Sequence, residues 1–232
     1  MDIGAILFDK DGTLFDFGAT WEAWASSFLM RATGGDRARA AEIGHHIGFD
    51  LEHRAFARDS VVIAGTPGEI TCALLPHFPD VDADAFLAML NDEAATAPQA
   101  EAVPLIPFLD GLIRRGLTLG VMTNDSEAVA LAHLGEAQVR DRFAFIAGFD
   151  SGYGAKPAPE PLLAFCKATG VTPDRAIMVG DSTHDLIAGR RAGMGTVGVL
   201  TGMAEAETLA PYADVIFPDI GHLPGWLDGS RK

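Results

Sequence analysis

The sequence predicts an α/β protein, with a parallel-sheet core that is interrupted near its N-terminus by an all-helical insert. From residue 105 onward, short apolar runs alternate with segments of helical spacing, as in strands joined by right-handed helical crossovers. Between residues 17 and 100, apolar residues recur at helical spacing and no strand pattern is found. We therefore predict a core formed by residues 1–15 and 105–232 and a helical domain formed by residues 17–100.

The first strand of the predicted core is the apolar run Ile3–Phe8, which has the length and composition of a buried strand. Five later runs have the same character: Leu117–Met122, Phe143–Phe149, Ala176–Val179, Thr196–Leu200 and Asp214–Phe217. The helices predicted between them are Leu109–Arg115, Glu127–Leu134, Pro161–Thr169 and Leu186–Ala192. Because open parallel sheets bind ligands beyond the carboxyl ends of their strands, the polar residues that follow these runs are candidates for a site.

Within the insert, Trp21, Trp24 and Phe28 recur at helical spacing and define the first predicted helix. The further helices are predicted from Asp36 to Ile47, from Asp50 to Ala64, from Glu69 to Leu75, and from Asp82 or Asp84 to Ala94. Glycine and proline residues separate these segments, as at helix ends. The insert is therefore predicted to contain helices alone.

Composition and charge exclude several classes of function. Hydrophobic residues make up 48% of the 232 residues, which is enough for a substantial core. The chain has 17 basic and 32 acidic residues, a net charge of -15, which argues against nucleic acid and anionic membrane surfaces as partners. No apolar run has the length of a signal peptide core or a membrane span, so we expect a cytoplasmic protein. Its two cysteines, Cys72 and Cys166, are far apart and are predicted to be reduced core thiols.

The first strand runs directly into Asp9-Lys10-Asp11-Gly12-Thr13. Residues two apart on an extended chain project to the same side, so the carboxylates of Asp9 and Asp11 would crowd together. A cation relieves that crowding, and Mg²⁺ prefers oxygen ligands of this kind. The pattern indicates a metal-dependent site for phosphoryl transfer, although a strand that ends in a polar turn also accounts for this stretch taken alone.

Three further groups follow predicted strands. Thr123 and Asn124 open a helix, where a hydroxyl and free backbone N–H groups suit a phosphate; a plain helix cap is the alternative. Lys156, one of only four lysines, lies in a loop stiffened by Pro157 and Pro159; a surface lysine is the alternative. Asp181 and Asp185 flank a turn, and two carboxylates there suit a hard cation, with a capped helix start as the alternative.

These motifs, in this order, resemble those of the haloacid dehalogenase-like superfamily, and specifically its phosphoglycolate phosphatase-like phosphatases. The resemblance is carried by Asp9-Lys10-Asp11-Gly12-Thr13, Thr123-Asn124, Lys156-Pro157 and Gly180-Asp181-Ser182-Thr183-His184-Asp185. It implies a Rossmann-like core, a cap inserted between the first and second motifs, and Mg²⁺-dependent hydrolysis of a small phosphorylated metabolite.

The resemblance also implies a role for each residue. Asp9 is the expected nucleophile and Asp11 the expected general acid and base. Thr123, Asn124 and Lys156 are expected to bind the phosphoryl group. Mg²⁺ is expected to be held by Asp9, the backbone carbonyl of Asp11, and Asp181, with Asp185 acting through water or by orienting Lys156.

Other branches of the superfamily are less consistent with the sequence. A halide needs no proton on leaving, so the carboxylate of Asp11 argues against a dehalogenase. The insert contains no lysine, which argues against the branch that forms a Schiff base there. A sugar phosphomutase of the β-phosphoglucomutase type stays an alternative, as does a non-catalytic phosphate sensor or scaffold on the same fold.

The sequence says less about the substrate. Arg54 and Arg58 are one helical turn apart if the segment is helical, and we consider that one of them meets a second anionic group such as a carboxylate. A solvated helix face is the alternative. His184 lies inside the last motif and is a candidate for the entrance of the site. The sequence does not indicate an oligomeric state.

Overall fold

A computed structural model describes residues 2–229; residue 1 and residues 230–232, which the predicted core also includes, lie outside the described residues. The core is a six-stranded sheet in which all neighbouring strands pair in parallel, in the order β5-β4-β1-β6-β7-β8. The strands are β1 (Ala5–Phe8), β4 (Thr118–Met122), β5 (Phe145–Ala147), β6 (Ala176–Gly180), β7 (Gly195–Val199) and β8 (Val215–Phe217). The predicted α/β class is confirmed.

Helices cover both faces of this sheet. The α-helices of the core are α5 (Leu105–Arg114), α6 (Glu127–Glu136), α7 (Glu160–Thr169), α8 (Thr183–Ala192), α9 (Ala206–Leu209) and α10 (Leu223–Gly229). Successive residues of β1 pack into different clusters, because strand side chains alternate between faces: Ile6 and Phe8 join one cluster, and Leu7 joins another with Phe165. Burial on both faces explains why this strand reads as a continuous apolar run.

The insert contains α1 (Phe17–Ala32), α2 (Arg37–Gly44), α3 (Pro67–Leu74) and α4 (Ala83–Ala95), with two short strands, β2 (Phe49–Asp50) and β3 (Ala55–Phe56). Its apolar side chains form a cluster around Trp24, Phe28 and Phe86, which Val129 of α6 also joins. That separate cluster is consistent with the predicted division at residues 17–100, which stays a prediction.

The helix predicted from Asp50 to Ala64 is wrong, and so is the expectation that the insert has no strand. The segment forms the antiparallel hairpin of β2 and β3, followed by turns. The Asp50 carboxylate accepts hydrogen bonds from the backbone N–H groups of Glu52 and His53, at 2.8 and 3.0 Å. Such local bonds offer the backbone an alternative to helix. Arg54 then adopts a φ of 54°, which a right-handed helix does not allow.

The two cysteines differ in their exposure to solvent. Cys166 is a buried free thiol, as predicted, whereas Cys72 is exposed, so the prediction that both lie in the core is wrong for Cys72. Across residues 2–229, none of the helices combines the length and the apolar character needed to span a bilayer.

Candidate active site

The parallel sheet brings the predicted site residues together. Strand β1 lies between β4 and β6, and Phe8 at its end pairs with Val121 and Val179. The residues that follow these three strands therefore meet at one edge of the sheet: Asp9 and Asp11 after β1, Thr123 and Asn124 after β4, and Asp181 after β6. Lys156 reaches the same edge from the loop between β5 and α7, and Asp185 from the first turn of α8.

Three buried carboxylates form the centre of the site. One carboxylate oxygen from each of Asp9, Asp181 and Asp185 lies within 4.8 Å of the others. The ammonium group of Lys156 donates to Asp9 Oδ1 at 2.7 Å and to Asp185 Oδ1 at 2.6 Å. The other oxygen of Asp185 accepts from the Ser182 backbone N–H and hydroxyl, which fixes the carboxylate toward the lysine.

This centre carries more negative charge than its lysine neutralises. Burial and the charge of Asp185 raise the pKa of Asp9 to about 7, although Lys156 opposes the shift. Burial and the charges of Asp9 and Asp185 also raise the pKa of Asp181 well above its ordinary value. Burial lowers the pKa of Lys156, but the two aspartates outweigh it and hold that pKa above its usual range. Crowded, buried carboxylate oxygens in excess over cations are the donor set that suits Mg²⁺.

Asp11 takes part in a second cluster that sequence reasoning missed. The Lys10 side chain is fully buried, and its Nζ lies 2.9 Å from Asp11 Oδ1 and 2.7 Å from Asp11 Oδ2. The same Nζ is 3.3 Å from Asp125 Oδ2 and 2.9 Å from His133 Nδ1. Lys10 therefore holds both oxygens of the Asp11 carboxylate. The available signal was a lysine placed between two aspartates at the end of an apolar strand.

His133 extends this second cluster to the insert. Burial, and then the charge of Lys10, lower the pKa of His133 to about 4, so the ring is neutral near pH 7. Since Nδ1 lies against the Lys10 ammonium, it accepts, and the Nε2–H donates to the Ala94 carbonyl at the end of α4, 2.8 Å away. A hydrogen-bonded chain thus runs from Asp11 through Lys10 and His133 to the insert.

Thr123 and Asn124 are buried at the end of β4. The Asn124 side chain donates from Nδ2 to the Ala64 carbonyl at 2.8 Å and to the Lys156 carbonyl at 2.9 Å, and its Oδ1 accepts from the Lys156 N–H. Asn124 therefore positions the lysine loop and binds the insert. Thr123 Oγ1 accepts from the Asp125 N–H at 3.1 Å and still has a hydrogen to donate.

Gly12 and Gly202 allow Asp181 to reach the site. Gly12 has a φ of 74°, and a Cβ on it would overlap the Asp181 carboxylate. A Cβ on Gly202 would overlap the same carboxylate. The Thr201 hydroxyl donates to the Gly12 carbonyl at 2.5 Å, which ties the two loops together.

A cavity of about 600 Å³, which includes space open to solvent, joins this edge of the sheet to the insert. Asp9, Asp11 and Lys156 line it on the core side, and Trp21 and Trp24 line it on the insert side. His184 also lines the cavity, and its place at the entrance stays a prediction.

Arg54 and Arg58 are not among the residues that line this cavity. Arg58 instead forms an exposed ion pair of 2.6 Å with Glu205 of the core. Arg54 lies in the turn that replaces the predicted helix, so the two arginines do not share a helix face. Their proposed contact with the substrate stays a prediction without a geometric basis in this cavity.

Comparison with known proteins accounts for this arrangement. Residues 6–199 match the profile of a family described as haloacid dehalogenase-like hydrolases. The chain belongs to this family. A haloacid dehalogenase-like hydrolase with an α/β core and a helical insert is what the order of the sequence motifs predicts, and that prediction is confirmed.

Curated relatives of this hydrolase carry the name phosphoglycolate phosphatase. The protein of that name from Neisseria meningitidis is 29% identical over 235 residues, covering 96% of this chain and 91% of the relative. A second, from Agrobacterium fabrum, is 27% identical and covers 94% and 89%. The one from Chromobacterium violaceum is 39% identical, but the match spans only about half of each protein, 49% and 50%.

Solved structures show the same fold at lower identity. A chain described as a predicted phosphoglycolate phosphatase from Haemophilus somnus superposes with a TM-score of 0.69, at 20% identity, covering 98% of this hydrolase and 99% of that chain. A β-phosphoglucomutase from Clostridium difficile superposes with a TM-score of 0.66, at 18% identity, covering 95% and 93%. Because a phosphatase-like and a mutase-like chain superpose almost equally well, the fold alone does not separate the two activities.

Proposed function

We propose that this chain is a Mg²⁺-dependent phosphatase that hydrolyses a small-molecule phosphate monoester through an aspartyl-phosphate on Asp9. The observation that carries the proposal is the buried group of Asp9, Asp181 and Asp185 around Lys156, at the core end of a cavity that Asp11 also lines. This arrangement combines a nucleophile, a cation site and a second carboxylate for proton transfer.

The proposed reaction has two steps. In the first, an oxygen of Asp9 attacks phosphorus, the bond to the leaving oxygen breaks, and Asp11 gives that oxygen its proton. In the second, Asp11 takes a proton from water, the water oxygen attacks phosphorus, and the bond to Asp9 breaks. The products are an alcohol and inorganic phosphate, and both aspartates return to their starting states.

The neighbouring residues hold the charge that moves during these steps. Lys156 lies within hydrogen-bonding distance of Asp9, and so offsets charge on the carboxylate and on the transferring group. We expect the Thr123 hydroxyl and the Asn124 backbone N–H to bind phosphoryl oxygens. Both carboxylate oxygens of Asp185 are already occupied, which supports a role in orienting Lys156.

The residues present fit a Mg²⁺ ion. Asp9, Asp181 and the backbone carbonyl of Asp11 would hold it, with Asp185 nearby. Bound there, the ion would neutralise charge on the phosphoryl oxygens as the reaction proceeds. A cytoplasmic location is consistent with this role and stays a prediction.

Release of inorganic phosphate from a panel of small phosphate esters tests the proposal. The panel includes phosphoglycolate, after which the relatives are named, and a sugar 1-phosphate. We expect release with Mg²⁺, none with a chelator, and a loss of about 1,000-fold or more in Asp9→Asn, because that variant lacks the nucleophile. The matched control is Asp174→Asn, which changes an exposed aspartate outside the cavity and should retain activity.

A further variant tests the intermediate itself. Asp11→Asn lacks both the acid for the first step and the base for the second, so it is mixed with nitrophenyl phosphate, whose leaving group needs no proton. A protein carrying one extra phosphoryl group should then be detected by mass spectrometry. Full activity in Asp9→Asn would contradict the mechanism. Conversion of the sugar 1-phosphate to its 6-phosphate without phosphate release would favour the mutase, and no turnover of any ester would favour the sensor or scaffold.

A further inference from the structure

The insert presents an apolar wall to the catalytic edge of the sheet. The wall is made by side chains of α1, α3 and α4 and of the loop before α3, including Phe17, Trp21, Trp24, Ile70 and Leu90. Its polar groups include the side-chain amide of Asn91 and the Trp21 Nε1–H, which is buried and has no hydrogen-bond partner among the described residues. The wall therefore offers van der Waals contact and exclusion of water rather than charge.

The two tryptophans of the wall are held firmly. Trp24 stacks on Phe28 with ring centroids 5.5 Å apart, and its Nε1 donates to the Leu90 carbonyl at 3.2 Å. Trp21 meets Trp24 edge to face at 5.3 Å. Because neighbouring rings fix them, these surfaces are preformed, and little ordering is needed when an apolar group binds.

No basic side chain of the insert reaches this wall. Of the residues that the structure describes along the cavity, Lys156 is the only lysine or arginine, and its ammonium group already donates to Asp9 and Asp185. Two arginines of the insert pair with carboxylates outside the cavity lining: Arg31 with Glu93, and Arg58 with Glu205. Among the charged residues of the cavity lining, the carboxylates outnumber this single lysine.

This distribution of charge decides which leaving groups the cavity can hold. A carboxylate or second phosphate would lose its water against an apolar wall and would gain no cation, which is unfavourable. An uncharged apolar group would lose no ion pair and would be removed from water.

We propose that the substrate of this enzyme is the phosphate ester of an uncharged apolar alcohol, aromatic or aliphatic, whose organic part packs against Trp21 and Trp24. The inference rests on the proposed phosphatase function and narrows it. It separates this chain from a phosphatase for phosphoglycolate, whose organic part is a carboxylate.

The test compares pairs of esters in which one member carries an additional carboxylate. Benzyl phosphate is paired with 4-carboxybenzyl phosphate, and butyl phosphate with the ester of 4-hydroxybutanoate, so that each pair has a similar leaving oxygen. We expect kcat/KM to be about 30-fold or more higher for the uncharged member of each pair, because the charged member buries an unpaired carboxylate. Phosphoglycolate is expected to be a poor substrate.

Two variants extend the comparison. Ile63→Arg places a cation on the wall at a half-buried position and should raise kcat/KM for the two carboxylated esters at least severalfold relative to their uncharged partners. Val81→Arg makes a similar change at an exposed site of the insert that does not line the cavity, and should leave the ratio unchanged. The comparison in the unmodified protein does not depend on either variant folding.

The outcomes separate the inference from the function on which it rests. If no ester releases phosphate in a Mg²⁺-dependent manner, the proposed function fails and the inference fails with it. If the esters are hydrolysed but the carboxylated member of each pair is turned over equally well or better, the proposed phosphatase activity is supported. The proposed preference for an apolar leaving group is then refuted.

Discussion

Lys10 is buried, and two neighbouring aspartates stabilise its charged form. Burial lowers the pKa of Lys10, but the charges of Asp11 and Asp125 outweigh it, so that the pKa lies above its ordinary value. Both oxygens of Asp11 are within 2.9 Å of its Nζ. A carboxylate held in this way has one orientation, which is what proton transfer to a leaving oxygen requires.

Lys10→Met should therefore lower kcat most for esters whose leaving oxygen needs a proton. Benzyl phosphate needs a proton on its leaving oxygen, so its kcat should fall on the order of tenfold or more. The leaving group of nitrophenyl phosphate, nitrophenolate, is a stable anion that needs no proton, so kcat for this ester should fall much less. The measurement is the ratio of the two kcat values, in the variant and in the unmodified enzyme.

The matched control is Lys167→Met, which removes an exposed lysine on α7 and should leave that ratio unchanged. A thermal unfolding curve shows whether Lys10→Met is folded under the assay conditions. If it is not, Lys10→Arg, which keeps the charge and alters its geometry, replaces it. An equal loss on both esters would refute the positioning of Asp11 by Lys10.

At the scale of elements, helix α6 carries a histidine whose protonation opposes folding. The pKa of His133 falls from its ordinary 6.5 to about 4 in the folded chain, through burial and the charge of Lys10. Between these values the unfolded chain binds the proton and the folded chain does not. The contribution of His133 to stability is therefore fully present above about pH 6.5 and is lost as the pH falls toward 4.

His133→Phe should remove this dependence. From about pH 7.5 to about pH 5, the free energy of unfolding of the unmodified protein should fall by roughly 2 kcal/mol relative to the variant. Denaturant unfolding at the two pH values measures this difference. Asp9 and Asp125, whose pKa values are raised by burial, act in the opposite direction, but they are present in both proteins and largely cancel.

An exposed histidine provides the comparison for this prediction. His45→Phe changes a residue at the surface of the insert, and its stability should follow the same pH profile as the unmodified protein. A difference between unmodified protein and His133→Phe that does not change with pH would show that His133 titrates alike in both states.

The elements that sequence predicted correctly share a physical basis. The strands of the sheet are buried on both faces, so each is an apolar run that ends in polar residues. The prediction of a helix from Asp50 to Ala64 was wrong because the structure of this segment depends on hydrogen bonds of single side chains. There the Asp50 carboxylate binds nearby backbone N–H groups, and the Ser60 hydroxyl donates to the Ile47 carbonyl at 2.6 Å. Periodicity does not record such bonds.

The same distinction applies to the site. Asp9, Thr123 and Asp181 were found because parallel strands deliver their ends to one edge, which depends on topology alone. The contact between Lys10 and His133 links residues 123 positions apart and depends on where α6 lies relative to β1. No spacing rule predicts it.

At the scale of the whole molecule, buried and exposed contacts join the insert to the core, and they contribute unequally to stability. The buried ones join Asn124 to the Ala64 carbonyl and His133 to the Ala94 carbonyl. The ion pair of Arg58 with Glu205 is largely exposed, and such pairs contribute little. Both buried contacts begin at residues that also bind Lys156 or Lys10, so the position of the insert is tied to the lysines of the site.

The proposed Mg²⁺ site predicts that the stability of the whole chain depends on the ion, because the site carries an excess of negative charge. Asp9, Asp181 and Asp185 repel one another in the folded state, and Lys156 offsets only part of this repulsion. An ion that binds the folded chain alone adds about 2.7 kcal/mol at a concentration 100 times its Kd. For a chain of this size we expect the melting temperature to rise by about 5 to 10 °C with saturating Mg²⁺.

Asp181→Asn provides the decisive comparison, since it removes a proposed ligand and a buried like charge together. Without Mg²⁺ it should melt at the same temperature as the unmodified protein or higher, and Mg²⁺ should shift it little. Asp174→Asn, at the surface, should keep the full shift. Because melting is measured without substrate, the result tests the metal site separately from turnover. An equal shift in Asp181→Asn would place the ion elsewhere.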